Sequence, residues 1–324
     1  MPDGKCHAPL SGVADVKGKP RNLPASVRQR LMILARKQNE DFQLVLTRFV
    51  IERFLYRLSQ SEYKAEFVLK GAMLFRLWTD QIYRPTRDVD LLGKGDHSVE
   101  RLARVIQNVC ATTVPDDGLE FVADAIVAEP IKEDQEYEGV RVKCPVRLET
   151  AEIQLQIDIG FGDAVIPKPI SVEYPALLEF PAPTVSAYSR ETVVAEKFQA
   201  MVQLGIANSR MKDFFDLWIL ARQFGFEGPL LCQAIHATFE RRRTAVPADS
   251  PLALTAEFGT DAAKMKQWVA FVKKGKLDVQ GQALAQICER LSDFLMPPAK
   301  ALSDGTDFQM WWPPNGPWSA RKPE

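Results

Sequence analysis

The chain has 324 residues, of which 46% are hydrophobic and 26% charged, a composition typical of a globular protein long enough to form two lobes. Its formal net charge of −1 at pH 7 excludes binding of nucleic acid through overall charge, so any RNA contact has to come from a local patch. The sequence lacks an apolar stretch as long as a membrane span, and residues 1–22 lack the apolar core of a signal peptide. We therefore predict a cytoplasmic protein with no membrane partner.

Cysteine and histidine offer little chemistry in this chain. The five cysteines are Cys6, Cys110, Cys144, Cys232 and Cys288. Their wide spacing, odd number and lack of a C-x-x-C pair argue against a zinc knuckle or a disulfide framework and indicate a reducing compartment. The three histidines, His7, His97 and His236, do not lie at metal spacing from other ligand residues, so we predict no histidine chemistry.

The first part of the chain is predicted to be a flexible arm followed by two helices. Residues 1–23 are rich in Gly, Pro and Lys, a composition typical of a loose arm. A helix is predicted from about Ser26, with Ser26 as its N-cap, and a longer helix from Asp41 to about Ser59. The longer helix has a wide apolar face, which indicates that it packs against a sheet.

Residues 67–93 combine a short strand, a helix start and a second strand. The first apolar run stops at Gly71, and apolar residues then recur at helical spacing over residues 72–79. A turn is predicted at residues 84–86, and a strand at residues 88–92.

Asp88 and Asp90 lie two residues apart on the second of these strands, so their side chains project to the same face. Neighbouring carboxylates repel each other unless cations are bound, and two magnesium ions roughly 3.5–4 Å apart would hold a triphosphate for in-line displacement. Gly71 lacks a Cβ at the helix start, so its backbone can approach a phosphate. Each feature alone is common at a solvated strand end or a helix start, but together and in this order they indicate a site for phosphate and metal.

A third carboxylate is predicted from the strands that follow. The predicted elements are a helix over residues 98–113 and strands over residues 119–127, 139–144 and 151–159. Apolar and polar residues alternate along the last strand, and Asp158 closes its polar face. We predict that Asp158 completes the metal site, with a strand-end cap as the alternative explanation and Asp163 as the rival residue.

A change of pattern near Ser189 predicts the boundary between two lobes. Residues 164–190 carry five prolines, Pro167, Pro169, Pro175, Pro181 and Pro183, and are predicted to form an extended connector. Beyond it the pattern is helical to the end of the chain, with helices from Arg190 to about Leu204 and from about Asn208.

Charged residues on these two helices are spaced for ion pairs. Lys197 lies on the first helix and Asp213 and Asp216 lie on the second, and spacing alone favours a pair of Lys197 with Asp213 or Asp216 that aligns the helices. Asp216 is predicted to pair with Arg210 or Lys212.

Two later segments have open alternatives. Residues 239–244 contain three consecutive arginines, which could contact an RNA backbone but also suit a solvated helix end. The tail from Met310 to Trp318 is rich in Trp and Pro, and it either folds back on the body or docks a partner.

Residues 67–93 resemble the signature of the DNA-polymerase-β-like nucleotidyltransferase superfamily. Further motifs are similar to the AbiEii/AbiGii toxin family within it. The segments that carry this second resemblance are Leu69–Phe75, Tyr83–Leu92, Glu196–Lys197 and Arg210–Leu217. The chain departs from the superfamily at Ala72, where Ser or Gly is usual, so a hydroxyl contact to phosphate is missing while the backbone N–H remains.

The resemblance implies an α/β fold, with a polymerase-β-like nucleotidyltransferase core built on a mixed sheet over residues 24–188 and a helical C-terminal lobe over residues 189–324. It also implies a magnesium-dependent enzyme with an NTP as co-substrate. The enzyme would transfer a nucleoside monophosphate to an acceptor hydroxyl and release pyrophosphate.

The resemblance assigns roles to individual residues. Asp88, Asp90 and Asp158 are expected to bind two Mg²⁺ ions, and Asp158 could also accept the proton of the attacking hydroxyl. Lys197 is expected to bind the nucleotide phosphates and Asp213 to be an essential carboxylate, since an ammonium suits the charge that develops on a transferring phosphate. The remaining substrate contacts are expected from Lys70, Gly71, Ala72, Thr86 and Arg87.

The family also implies partners. They are a tRNA acceptor, modified at its 3′ end so that translation fails, and a cognate antitoxin with a winged-helix DNA-binding domain. Two alternatives stay open. One is a nucleotidyltransferase that modifies a small molecule of the aminoglycoside type, and the other is a nucleotide-binding module without turnover, for which Ala72 is the supporting feature.

Overall fold

The computed structural model of the chain describes residues 22–79, 84–132 and 138–320. The α-helices are α1 Leu23–Gln38, α2 Phe42–Gln60, α3 Phe75–Trp78, α4 Val99–Cys110, α5 Arg190–Leu204, α6 Met211–Gln223, α7 Gly228–Arg241, α8 Ala256–Thr260, α9 Ala262–Gly275 and α10 Leu284–Ser303. The strands are β1 Phe67–Lys70, β2 Asp88–Gly93, β3 Glu120–Phe121, β4 Val127–Lys132, β5 Glu138–Leu148, β6 Ala151–Phe161, β7 Ile170–Glu173, β8 Thr184–Ala187, β9 Phe226–Glu227, β10 Met310–Trp312 and β11 Ser319–Ala320.

Eight of the strands form one mixed sheet. Its order is β3-β5-β6-β2-β1-β8-β7, and β4 pairs with β5 beside this path. β2 runs parallel to β6 and β1 parallel to β8, whereas the other neighbours are antiparallel. This architecture, followed by helices from residue 190 onward, confirms the predicted α/β fold class with a mixed sheet and a helical C-terminal part.

The alternation along β2 and β6 separates an apolar from a polar face of the sheet. Val89 pairs with Ile157 and Leu91 with Ile159, and all four side chains are buried. Helices α2 and α4 pack against the sheet and against each other. The prediction that the wide apolar face of α2 packs on a sheet is therefore confirmed, and the opposite face of β2 and β6 is left for polar side chains.

The helices after residue 190 form a second layer that the tail closes. α5 packs against α6 and α7, and α10 packs against α6, α7 and α8. The indole of Trp312 donates a hydrogen bond to the carbonyl of Ala221 at 2.6 Å, and that of Trp318 donates to the carbonyl of Phe294 at 2.9 Å. Of the two alternatives for the aromatic tail, the structure shows the one that folds back on the body. Within the described residues, each helix is too short or too polar to cross a bilayer.

Two predicted element boundaries are wrong. α1 is capped by Asn22, whose side chain accepts from the N–H of Ala25, because Pro24 in the first turn starts the helix before Ser26. The strand predicted over residues 119–127 is reduced to the two residues of β3 and the start of β4. The first 21 residues of the predicted arm lie outside the described part of the chain.

The proline-rich connector also differs from its prediction, because it contributes two strands to the sheet. β7 and β8 pair with each other, and β8 extends the sheet beside β1. The prolines at residues 175, 181 and 183 lie between these strands, where a strand N–H is not required. The lobe boundary near Ser189 stays a prediction, and Ser189 is the N-cap of α5.

A buried ion pair joins α2 to the loop before β3. Arg57 donates two hydrogen bonds to Asp117, at 2.6 and 3.1 Å, and the side chains are only 8% and 1% exposed. Removing Asp117 leaves a buried guanidinium without its partner, so we expect Asp117→Ala to lower the free energy of unfolding by about 3–5 kcal/mol in urea titrations.

The matched control is an exposed pair of the same length. Lys143 and Glu129 lie 2.6 Å apart and are 40% and 47% exposed. Glu129→Ala is expected to cost less than about 1 kcal/mol. An equal loss for the two variants would contradict the importance of burial at Asp117.

Candidate active site

Three carboxylates meet on the polar face of the sheet. Asp88 and Asp90 lie on β2, and Asp158 lies on β6. Parallel pairing puts Asp90 directly beside Asp158. One oxygen from each of the three residues lies within 4.8 Å of the others. The structure thus brings together the three residues predicted to bind metal, and we call them the aspartate trio.

The backbone at Gly71 is fitted to the aspartate trio. Lys70 at the end of β1 pairs with Asp90, so the chain passes the trio as it turns into the next segment. Gly71 has φ +75°, and a Cβ built on it would lie 1.9 Å from Oδ2 of Asp90. A side chain at this position would therefore displace the carboxylate. The helix predicted after Gly71 begins as a 3-10 turn over Gly71–Leu74, which α3 follows. Ala72 in this turn is half-buried.

The trio holds negative charge that the protein itself compensates poorly. Burial and, next to it, the charge of the neighbouring Asp88 raise the pKa of Asp90 to about 6, against the opposing effect of Lys70 and Lys212. Asp88 accepts a hydrogen bond from the Thr86 hydroxyl at 2.6 Å. Within residues 22–79, 84–132 and 138–320, neither Asp88 nor Asp90 forms an ion pair. A bound divalent cation would relieve this repulsion, so the donor set fits a magnesium site.

Arg141 is a residue of this site that the sequence analysis did not identify. It lies on β5 opposite Asp158 and donates to both carboxylate oxygens, at 2.8 and 2.7 Å. Gln156 also approaches Asp158 at 3.3 Å. Apolar and charged residues alternate along the predicted strand over residues 139–144, and this pattern could have placed Arg141 on the polar face. Asp158 differs from its two partners because it has a cation of its own.

Lys197 and Asp213 lie in a buried ionic network on α5 and α6. Lys197 contacts Asp213 at 2.5 Å and Asp216 at 2.9 Å, and Arg210 contacts Asp213 at 2.8 Å. Asp216 also accepts two hydrogen bonds from Arg84, at 2.7 and 2.9 Å. The predicted pairing of Asp216 with Arg210 or Lys212 is therefore wrong, because the segment before β2 brings Arg84 onto Asp216.

Arg84 connects this network to the aspartate trio. Although burial opposes it, the carboxylates of Asp216, Asp213 and Asp90 hold the pKa of the Arg84 guanidinium above its usual range. Arg84 therefore experiences the charge of both acidic groups. Lys197 contacts the same Oδ2 of Asp216 that accepts from Arg84, and it also contacts Asp213.

Lys70 and Asp163 lie in a second ionic cluster next to the trio. Lys70 contacts Asp163 at 2.5 Å and Glu196 at 3.5 Å, and Arg242 contacts the same two carboxylates at 2.9 and 3.7 Å. Against the effect of burial, Lys70 and Arg242 hold the pKa of Asp163 well below its usual range. Asp163, the rival of Asp158, is thus the partner of two cations and lies outside the trio. Lys70, predicted to contact substrate, is engaged with it, and Arg87 is exposed.

A family model and two solved structures are similar to the chain. A family model described as "Nucleotidyl transferase AbiEii toxin, Type IV TA system" matches residues 53–290. The crystal structure of JHP933 from Helicobacter pylori is similar at a TM-score of 0.47 and 16% identity, covering 82% of this chain and 95% of that chain. A second H. pylori crystal structure, provisionally described as a nucleotidyltransferase, has a TM-score of 0.47 and 16% identity and covers 83% and 100%. None of the curated proteins compared with the chain matches it.

Gly71→Ala tests the fit between the backbone and Asp90. We expect it to lower the free energy of unfolding by more than the roughly 1–2 kcal/mol that a left-handed backbone costs a non-glycine residue, because the methyl group also displaces the Asp90 carboxylate. Gly281 is the control, since it has φ +74° and nothing within 4 Å of an added Cβ. Gly281→Ala should show the conformational cost alone in urea titrations, and equal losses would refute the contact with Asp90.

Asp90→Asn tests whether the negative charge of Asp90 destabilises the fold in the absence of a bound cation. Since the fold raises the pKa of Asp90 from 3.8 to about 6, ionisation opposes folding, and the wild-type chain loses stability as the pH rises between these values. In EDTA we expect the variant to be more stable by on the order of 2–3 kcal/mol at pH 7.5 and by about half as much at pH 5.

Added magnesium should then stabilise the wild type more than the variant, because the variant has lost one carboxylate ligand. Asp124→Asn at an exposed position is the control and should change stability by less than about 0.5 kcal/mol. A gain for Asp90→Asn that does not depend on pH would contradict this origin of the effect.

Proposed function

The chain belongs to the AbiEii nucleotidyltransferase toxin family of type IV toxin–antitoxin systems, since that family's model matches well over half of its residues, and from this we propose its reaction and substrates. The proposed reaction is the magnesium-dependent transfer of a nucleoside monophosphate from an NTP to an acceptor hydroxyl, with release of pyrophosphate. The proposed acceptor is the 3′ end of tRNA. An antitoxin partner goes with the family, and we propose that it is the winged-helix protein expected above.

The convergence of Asp88, Asp90 and Asp158 is the observation that carries this proposal. Oxygen ligands of this kind are those that Mg²⁺ prefers. Burial and the repulsion from Asp88, which together raise the pKa of Asp90, support cation binding. Magnesium bound there would neutralise triphosphate oxygens and stabilise the charge of an in-line displacement.

Backbone groups next to the trio are proposed to hold the triphosphate. Gly71 brings the main chain against Asp90 without an intervening side chain. The N–H groups of Gly71 and Ala72 begin a helical turn at this point, so they can donate to phosphate oxygens. Ala72 provides this backbone donor without the hydroxyl that is usual in the superfamily.

Lys197 is proposed to bind phosphate, with Asp213 holding it in position. Asp213 is fully buried and lies 2.5 Å from the ammonium of Lys197, whose side chain is 14% exposed. The two carboxylates around Lys197 keep it charged, since they raise its pKa against the effect of burial. Arg84, which contacts Asp216 and is affected by the charge of Asp90, is a second cation beside Lys197.

Asp158 is proposed to bind metal and to accept the proton of the attacking hydroxyl. Its two hydrogen bonds from Arg141 fix the orientation of the carboxylate on the polar face of the sheet. Arg141 is 34% exposed, so its side chain can move toward solvent when an acceptor arrives.

Nucleotide transfer by the purified protein tests the proposal. The chain is incubated with each of the four NTPs labelled at the α-phosphate, with magnesium and total tRNA, and the RNA is separated from free nucleotide. We expect label on tRNA in a reaction that EDTA abolishes. Asp90→Asn should reduce the rate by about 100-fold or more, because it removes a charged group that acts on the transferring phosphate.

Lys197→Arg separates the catalytic role of Lys197 from a purely structural one. It keeps the charge and the pair with Asp213, so the fold is expected to persist, whereas the guanidinium cannot reproduce the position of a compact ammonium. We expect wild-type stability with a rate about tenfold or more lower. Wild-type rates would show that the pair only aligns the two helices. Label on an aminoglycoside and not on RNA would favour the small-molecule alternative.

A further inference from the structure

A row of charged residues crosses five neighbouring strands on the polar face of the sheet. Its members, taken across β1, β2, β6, β5 and β4, are Lys70, Asp90, Asp158, Arg141 and Glu129. Residues directly opposite each other on paired strands project to the same face, so neighbours in this row are close enough to interact. The sheet therefore places Arg141 beside Asp158, on the side away from Asp90.

Arg141 holds Asp158 by both of its carboxylate oxygens. Its Nε donates to Oδ1 at 2.8 Å and its Nη2 donates to Oδ2 at 2.7 Å, the two-point geometry in which a guanidinium binds a carboxylate strongly. The side-chain amide of Gln156 also lies 3.3 Å from each oxygen. A carboxylate has about four lone-pair positions, so these contacts leave Asp158 little capacity for a further ligand.

The other two members of the aspartate trio differ from Asp158 in this respect. Asp88 accepts a hydrogen bond from the neutral hydroxyl of Thr86. In the part of the chain that the structure describes, neither Asp88 nor Asp90 pairs with a cation. Both can therefore accept a metal ion without losing a cation, whereas Asp158 has to share Arg141 or release it.

The positive charge of Arg141 belongs to the electrostatics of the whole trio. Although burial opposes it, the hydrogen bonds to Asp158 and the charges of Asp158, Asp88 and Glu129 hold the pKa of the Arg141 guanidinium above its usual range. A magnesium ion bound by the trio would share Asp158 with this charge. Like charges that share one carboxylate repel each other, so the arginine opposes the binding of the metal ion.

Arg141 has a second acidic neighbour to which it can turn. Glu129 lies opposite it on β4, is exposed, and already contacts Lys143 at 2.6 Å. A carboxylate can accept hydrogen bonds from more than one cation, so Glu129 can receive the guanidinium as well. The Arg141 side chain is partly exposed and can therefore leave Asp158 on the side away from the trio.

We propose that Arg141 competes with magnesium for Asp158 and so lowers the affinity of the nucleotide-free trio for the metal, an inference that rests on the proposed function. While Arg141 holds Asp158, only Asp88 and Asp90 are available to a cation. When the guanidinium turns toward Glu129 and solvent, the third carboxylate becomes available and the donor set is complete. Arg141 is thus a positioning residue that acts on the site through Asp158.

A purely structural role for the same ion pair makes the opposite prediction. If Arg141 only oriented Asp158 as a ligand, its loss would free the carboxylate to rotate, and magnesium binding would weaken. The strands themselves do not depend on this pair, because β5 and β6 are joined by backbone pairing over residues 140–148 and 151–159. The direction of the change in magnesium affinity therefore separates competition from orientation.

Magnesium binding by Arg141→Gln tests the proposal. The full chain is stripped of metal with EDTA, dialysed, and titrated with Mg²⁺ alone, without nucleotide, by isothermal titration calorimetry. We expect Arg141→Gln to bind Mg²⁺ about tenfold or more tightly than the wild type, because a positive charge beside the bound ion has been removed. Added Mg²⁺ should also raise the midpoint of thermal unfolding more in this variant. An affinity equal to or below that of the wild type would overturn the proposal.

Arg141→Lys separates the charge of the side chain from its shape. It keeps a positive charge beside Asp158 and loses the two-point contact, so we expect Mg²⁺ to bind within about threefold of the wild-type affinity. If Arg141→Lys bound Mg²⁺ as tightly as Arg141→Gln, competition by charge would be wrong. Thermal unfolding without metal confirms that the variants are folded.

The matched control, Arg147→Gln, removes the same charge from the same strand and the same face. Arg147 is 52% exposed, contacts Glu120 at 3.5 Å and lies opposite Glu152 on β6. Glu152 is six residues from Asp158, a separation of about 20 Å along the strand, whereas charges are screened over about 10 Å in 0.1 M salt. Arg147→Gln should therefore bind Mg²⁺ as the wild type does, and a gain equal to that of Arg141→Gln would overturn a local effect.

The tighter binding also has to occur at the trio. Asp90→Asn/Arg141→Gln lacks one carboxylate ligand and should bind Mg²⁺ more weakly than Arg141→Gln. Equal affinities for these two proteins would place the ion elsewhere and overturn the proposal.

The competition and the proposed reaction can fail independently, because magnesium binding is measured without nucleotide. If the wild type transfers no nucleotide but Arg141→Gln binds Mg²⁺ more tightly, the role of Arg141 stands and the reaction is wrong. If the wild type labels tRNA and Arg141→Gln binds Mg²⁺ no more tightly, the reaction stands and the role of Arg141 is wrong.

Discussion

The parallel pairing of β2 with β6 is the constraint on which the candidate active site depends. It places Asp90 beside Asp158, while Asp88 follows from the two-residue period of β2. A register slip of one residue would turn these carboxylates into the core and bring Val89 and Leu91 to the polar face. Because Val89, Leu91, Ile157 and Ile159 are packed in the core, their burial fixes the register, and the same burial therefore concentrates negative charge on the other face.

The carboxylates near the candidate site differ in whether a cation of the protein pairs with them. Asp158 pairs with Arg141, and Asp163 pairs with Lys70 and Arg242. Asp213 pairs with Lys197 and Arg210, and Asp216 pairs with Lys197 and Arg84. Asp88 and Asp90 form no ion pair among the residues that the structure describes. Buried carboxylates without cations are costly, so this local deficit of positive charge is the place where an added cation contributes most. The proposed metal site therefore centres on Asp88 and Asp90.

Local periodicity was enough to predict much of the fold. The alternation over residues 151–159 predicted β6, the Asp-x-Asp pattern predicted β2, and the bounds of α5 were predicted to the residue. The strands β7 and β8 were missed because each has only four residues and lies in a proline-rich segment. They are stabilised by pairing with each other and, for β8, with β1. Short strands of this kind have little local signal, since their partners lie elsewhere in the chain.

The sequence by itself determined which faces of β2 and β6 carry carboxylates and that Gly71 lies at a helical turn, because these properties follow from residue spacing. Only the tertiary structure decided which cation meets which carboxylate. Lys70 and Asp163 are 93 residues apart, and Arg84 and Asp216 are 132 apart. An ion pair needs its partners within about 4 Å, and at that range partner choice depends on which strands and helices are neighbours in space. The sequence could therefore identify the charged residues but not their pairing.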